Sequence, residues 1–164
     1  MKPQVTIFNR QRALLIDTRQ LGQIAKALLA ERLQVERADL GVCLVAAPEM
    51  TRLNETFLQH RGSTDVIAFD YSAPGRRRPD ARRRLHGEIF ICVDEAIGQA
   101  RQFRTSWQSE IVRYLVHGIL HLRGHDDSRA PERRKMKREE NRLLRELSRR
   151  FSLAQLARAA KLSR

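Results

Sequence analysis

The eleven residues HGILHLRGHDD, 117–127, hold three histidines, two aspartates and two glycines. His117 and His121 are four apart, so on a helix their imidazoles leave the same face one turn apart. Gly124, three residues later, is the residue type that ends a helix in a left-handed turn. A chain that reverses there can return one more donor to the two rings. Asp127 is favoured for that place because of its reach across the turn, and His125, directly after the glycine, is the alternative. Three protein ligands leave a coordination position open on Zn²⁺, where the ion can activate water or polarise an oxygen. The competing reading is a pair of histidines that merely finishes a helix at its dipole.

The spacing resembles the H-E-x-x-H-x-x-G-x-x-H run of metzincin proteases. Gly118 stands where that run has its catalytic glutamate, and Asp127 stands where it has its last histidine. The ligand spacing therefore survives while the protease base does not.

These residues must be positioned by the elements around them. VTIF (5–8), GVCLVAA (41–47), TDVIAFDY (64–71) and EIFICVD (88–94) read as strands. Helical spacing predicts helices over 19–34, 48–59, 94–103 and 131–149, and a metal-bearing helix that stops at Gly124. Thr105 and Gln108 form a capping-box pattern ahead of that last helix. The fold class is α/β (α+β): a single small mixed sheet of about four strands packed with about five helices, one of them a metzincin-like metal helix. Residues 1–150 form one domain with a basic loop at 72–86, and 151–164 form a peripheral, helical basic tail.

Charge is concentrated in two places. Residues 76–84 hold six arginines against one aspartate, and residues 129–164 hold thirteen Lys or Arg against four glutamates. Together they account for the net charge of +13, so the remainder is close to neutral. Such placement suits a polyanionic partner, nucleic acid before an anionic membrane surface. The opening MKPQVTIFNR lacks the apolar core of a signal peptide. No run approaches the ~18 apolar residues of a membrane span. Cys43 and Cys92 lie in apolar runs without a CxxC partner, which suits a reduced, cytoplasmic protein.

HGILHLRGHDD also resembles the H-G-x-L-H-L-x-G-x-D-H signature of the YbeY family of bacterial ribosomal-RNA maturation endoribonucleases. LNETFLQHRGSTDVIAFDY (53–71) resembles that family's L-N-x-x-x-R…P-T-D-V-L-S-F block, and HGEIFICVDEAIGQA (86–100) its L-G-D-I-x-I-S…A segment. The blocks keep the family's order. The resemblance implies a single-strand-specific endoribonuclease with one Zn²⁺ per chain, acting in 16S ribosomal RNA 3′-end maturation and ribosome quality control. It implies ribosomal RNA and the small ribosomal subunit as partners, together with a small-subunit ribosomal protein and an assembly GTPase. Two positions depart from the pattern. The family's third histidine ligand falls on Asp127, and its arginine six residues before the threonine of T-D-V falls on Leu58.

RNA cleavage at one zinc needs a carboxylate and a cation near the phosphate. Glu88 and Asp65 are the candidate carboxylates, each with a structural alternative. Glu88 would orient a zinc-bound imidazole, and Asp65 would cap a turn. Arg61 is the candidate cation. Arg76, Arg77, Arg78, Arg82, Arg83 and Arg84 are the candidate RNA-binding residues. Aromatic residues are few and are expected mostly in the core, so phosphate pairing should outweigh base stacking. Two other classes remain: a zinc metalloprotease or other metallohydrolase, against which Gly118 counts, and a non-catalytic RNA-binding factor of ribosome assembly.

Overall fold

The computed structural model describes residues 2–72 and 83–158. In chain order it has β1 (Gln4–Asn9), α1 (Thr18–Ala27), β2 (Arg37–Val45), α2 (Ala47–Phe57), β3 (Val66–Asp70), β4 (Arg84–Cys92), α3 (Val93–Phe103), α4 (Trp107–Leu122) and α5 (Ala130–Arg150). The sheet order is β1-β2-β4-β3, with β3 the antiparallel edge of an otherwise parallel sheet. The expected mixed sheet of four strands with five helices is what forms. Among the described residues no helix is long and apolar enough to cross a membrane.

Strand alternation sorts the side chains onto two faces. Leu40, Val42 and Leu44 of β2 and Leu85, Ile89 and Ile91 of β4 join the main core, with α1 and α4. Their neighbours of opposite parity, Cys43, Val45, Phe90 and Cys92, pack with Met50 of α2 on the other face. Cover on both faces explains why GVCLVAA reads as an unbroken apolar run. Cys43 and Cys92 are buried and unbridged, and burial pushes both thiols up.

Several expectations are corrected. The helix expected over 19–34 is α-helical only to Ala27 and continues as a π-helical turn, Leu28–Arg32. Ser106, not Thr105, caps α4: its Oγ accepts from the Ser109 N–H at 3.1 Å, while Thr105 Oγ1 donates to buried Glu110 at 2.8 Å. The described residues after Phe151 do not form a peripheral helix. A single 3₁₀ turn, Leu153–Leu156, buries Leu156 in the core, and Ala157 bridges to Ile16. The aromatics do lie mostly at the core, as expected: Phe90 and Tyr114 are buried in it and Phe69, Trp107 and Phe151 pack against it, while Phe8, Phe57, Tyr71 and Phe103 are exposed.

Helix α4 is buried nearly all round. From Glu110 to Leu122 only Arg113, His117 and His121 escape burial, each one turn beyond the last. Next to this stripe, α4 presses on β4 at Gly118. A Cβ built there would lie 2.8–3.1 Å from three side-chain atoms of fully buried Ile89. Position 118 therefore faces the sheet, and its glycine is required by packing. Gly118→Ala is expected to destabilise the fold by about 1–3 kcal/mol through overpacking, despite alanine's advantage in a helix of about 1 kcal/mol. Thermal melting checks this: the midpoint should fall by several degrees, and an unchanged or raised midpoint would contradict it.

Candidate metal centre

The last turn of α4 sets the geometry. Gly124 takes φ +94, its N–H donates to the His121 carbonyl at 2.9 Å, and the His125 N–H donates to the Leu120 carbonyl at 3.0 Å. This paired arrangement closes the helix through a left-handed glycine. The chain then folds back, and Asp127 arrives beside the two imidazoles.

His117 Nε2 and His121 Nε2 lie 3.0 Å apart. Asp127 Oδ2 lies 3.8 Å from the first and 3.5 Å from the second. Among the described residues this is the cluster that could hold a metal ion. The other nitrogen of each ring is engaged. His117 Nδ1 sits 2.8 Å from Glu140 Oε2, and His121 Nδ1 sits 3.1 Å from the His125 carbonyl oxygen. Both partners are acceptors, so both Nδ1 atoms carry their proton and both Nε2 lone pairs face each other. Two lone pairs and a carboxylate at this range require a positive species between them, a proton or a metal ion. Tetrahedral ligands about 2.1 Å from zinc stand about 3.4 Å apart, and the observed separations bracket that value. The residues present fit a divalent metal.

Glu140 anchors the centre from α5. It is 3% exposed and also accepts from Arg113 at 2.9 Å and Lys137 at 3.2 Å. Burial alone would raise its carboxyl, but the hydrogen bonds from His117 and Arg113 and the charge of Lys137 hold it down to about 2. Burial would lower His117, yet the hydrogen bond and charge of Glu140, with Asp65 and Asp127 beyond, leave it raised.

The other candidates divide. Asp65 is exposed and lines the same cleft as His117 and Asp127. Its Oδ1 also accepts from the Val66 N–H at 2.8 Å, so it both caps the turn and faces the site. Glu88 is corrected. It alternates with Ile89, which packs against α4, so its carboxylate lies on the opposite face, beside Tyr71 at 3.1 Å and Cys43. It can neither serve these imidazoles as base nor orient them; Glu140 orients His117 instead. Arg61 is exposed and does not line the cleft. The His125 side chain is absent from the cluster and lines a separate hollow with Glu139 and Arg142, while its backbone carbonyl holds His121. Of the basic loop, Arg76, Arg77, Arg78 and Arg82 lie outside the described residues. Arg83 pairs with Glu36 at 3.6 Å, and Arg84 opens β4 with an exposed side chain.

The sequence reading missed Glu140 and the cations of the cleft. Glu140 is the lone carboxylate in the apolar stripe Met136, Leu143, Leu144, Leu147, a signal in itself. Arg113 precedes His117 by one turn. The cleft, about 660 Å³, is lined by His117 and Asp127 of the cluster, by Arg113, and by Arg133, Arg134 and Lys137 of α5.

The family described as "Endoribonuclease YbeY" matches residues 6–148. Relatives carrying that name include one from Chlorobium luteolum, 37% identical over 98 residues, covering 60% of this chain and 66% of that protein, just under two thirds of its length. One from Kineococcus radiotolerans is 32% identical over 123 residues, covering 74% of this chain and 71% of the relative. One from Beutenbergia cavernae is 29% identical over 133 residues, covering 80% and 89%. The solution structure of a Thermotoga maritima protein superposes with a TM-score of 0.61 at 19% identity, over 98% of this chain and 100% of that one, a likeness of fold alone.

Proposed function

Because this chain belongs to the Endoribonuclease YbeY family, we propose that it is a metal-dependent endoribonuclease that cuts single-stranded RNA, acting in 16S ribosomal RNA 3′-end maturation and ribosome quality control. The observation that carries this reading is the pair of facing ring nitrogens beside a carboxylate, in a cleft lined by Arg113, Arg133, Arg134 and Lys137. Its partners are ribosomal RNA and the small ribosomal subunit, with a small-subunit ribosomal protein and an assembly GTPase as further partners, and its setting is the cytoplasm.

One Zn²⁺ per chain, held by His117 Nε2, His121 Nε2 and the Asp127 carboxylate, would supply Lewis acidity toward the scissile phosphodiester. Glu140 accepts the Nδ1 proton of His117, and the His125 carbonyl accepts that of His121, so both Nε2 lone pairs stay available. Asp65 is the group we assign to take or return a proton at the attacking or leaving oxygen. Arg113, Arg133 and Arg134 take over from Arg61 the supply of positive charge to the phosphate. Neither Glu88 nor position 118 takes part.

Incubating the zinc-loaded protein with single-stranded RNA and, separately, with casein tests the reading. RNA should be cut, a chelator should stop the cutting, and casein should stay intact. Cleavage of casein but not RNA would favour a metalloprotease. Tight RNA binding without metal-dependent cutting would favour a non-catalytic assembly factor.

The arginines of 76–84 are assigned to the RNA backbone. Deleting residues 76–82, which spares β4, is expected to weaken RNA binding and flatten its salt dependence. Each single-strand phosphate left without its arginine lowers the slope of log K against log salt by about 0.7, so three such phosphates would lower it by about 2. A titration with an unchanged slope would contradict the assignment.

A further inference from the structure

Resting on the RNA-cleaving reading above, we infer that the cleft beside the metal cluster, where α3 and α5 both line it, holds a nucleotide subsite in which a base stacks on Phe103 while its phosphate meets Arg134. Phe103 is the last residue of α3 and is 62% exposed. It lines the same hollow as His117 and Asp127, so its ring is presented to a concave site adjoining the metal cluster. Gln99 precedes it by one turn on the same helix face and also lines the hollow. Its amide offers both a donor and an acceptor, as the edge of a base requires. Buried Tyr114 and Met136 supply an apolar lining to the same hollow.

The α5 wall supplies the charge. Lys137 is tied to Glu140 at 3.2 Å, and one Arg133 nitrogen donates to the Asp127 and Ser128 carbonyls. Arg134 has no ion pair or hydrogen bond among the described residues. An exposed ring, an amide and an unpaired guanidinium around one hollow match the three parts of a nucleotide: base face, base edge and phosphate. The hollow, about 660 Å³, lies within the usual range of ligand sites, about 300–1,000 Å³. The subsite also gives single-strand preference a physical cause, since a base stacked on Phe103 cannot remain stacked in a duplex.

The test measures binding of a fluorescein-labelled single-stranded hexaribonucleotide, and of its abasic counterpart, with chelator present so that nothing is cut. Phe103→Ala should weaken binding of the hexamer about tenfold, leave the abasic chain unaffected and keep the wild-type melting temperature. Phe103→Trp should restore tight binding. Arg134→Ala should weaken both ligands and lower the salt slope by about 0.7. Equal hexamer affinity for Phe103→Ala and wild type, in a wild-type protein that binds and cuts RNA, would overturn the subsite alone. Equal weakening of hexamer and abasic chain by Phe103→Ala would overturn it too. A wild-type protein that neither binds nor cuts RNA would overturn the RNA-cleaving reading and the subsite with it.

Discussion

Asp127→Ala is expected to lose zinc affinity and RNA cleavage together, by at least about a hundredfold, while His125→Ala keeps both within about twofold. Removing a partner that only orients a ligand typically costs 10–100-fold in metal affinity, and removing a ligand should cost no less. Asp127 Oδ2 faces both Nε2 atoms at 3.5 and 3.8 Å. The His125 side chain is not part of the cluster, and the backbone carbonyl that it places 3.1 Å from His121 Nδ1 survives truncation to alanine. Zinc titration against a chromogenic chelator reads the affinity, and a single-stranded RNA assay reads the activity. Loss of zinc from His125→Ala with retention in Asp127→Ala would reassign the third ligand.

The second large effect belongs to Glu140, the carboxylate that joins α5 to α4. Glu140→Gln keeps the shape and removes the charge, leaving Arg113, 24% exposed in its side chain, against a neutral amide. Breaking a buried pair on one side costs about 3–5 kcal/mol, which lowers the melting midpoint of a chain this size by about 10 °C. The depressed carboxyl agrees in size: about 2 instead of the ordinary 4.5 corresponds to about 3 kcal/mol. A depressed acid stabilises above its unfolded value, so this contribution is present above pH 4.5 and is lost as the pH falls toward 2. Metal-free melting isolates the fold from the ion. Zinc affinity should also fall by about 10–100-fold, because among the described residues Glu140 is what holds the His117 ring in its tautomer. Glu139→Gln is the control: its neighbouring carboxylate pairs with the exposed Arg142, and exposed pairs contribute about 0–1 kcal/mol. Equal melting shifts for the two variants would contradict the role given to Glu140.

Features written in local spacing were legible in the chain. His117, His121 and Gly124 lie within one helix and its terminal turn, where sequence separation fixes direction. The four strands and the metal helix could be read for the same reason. Misreadings came where distant elements decide. Glu88 and Ile89 alternate across β4, and only the packing of α4 on the Ile89 side reveals which of them faces the imidazoles. Gly118 looked like an absent base because its neighbour Ile89 is 29 residues away in the chain. Phe103 sits at a helix end, where nothing local distinguishes a core residue from the lip of a cleft. Glu140 was hidden differently: a carboxylate within an apolar stripe reads as an irregularity until a partner helix supplies Arg113 and His117.

The central claim is that His117, His121 and Asp127 converge on one ion. Anomalous diffraction at the zinc edge, from crystals grown with stoichiometric zinc, tests it most directly. One peak per chain is expected between the two Nε2 atoms and the Asp127 carboxylate, with no sulfur neighbour. No peak at that position, or one against Cys43 or Cys92 instead, would contradict it.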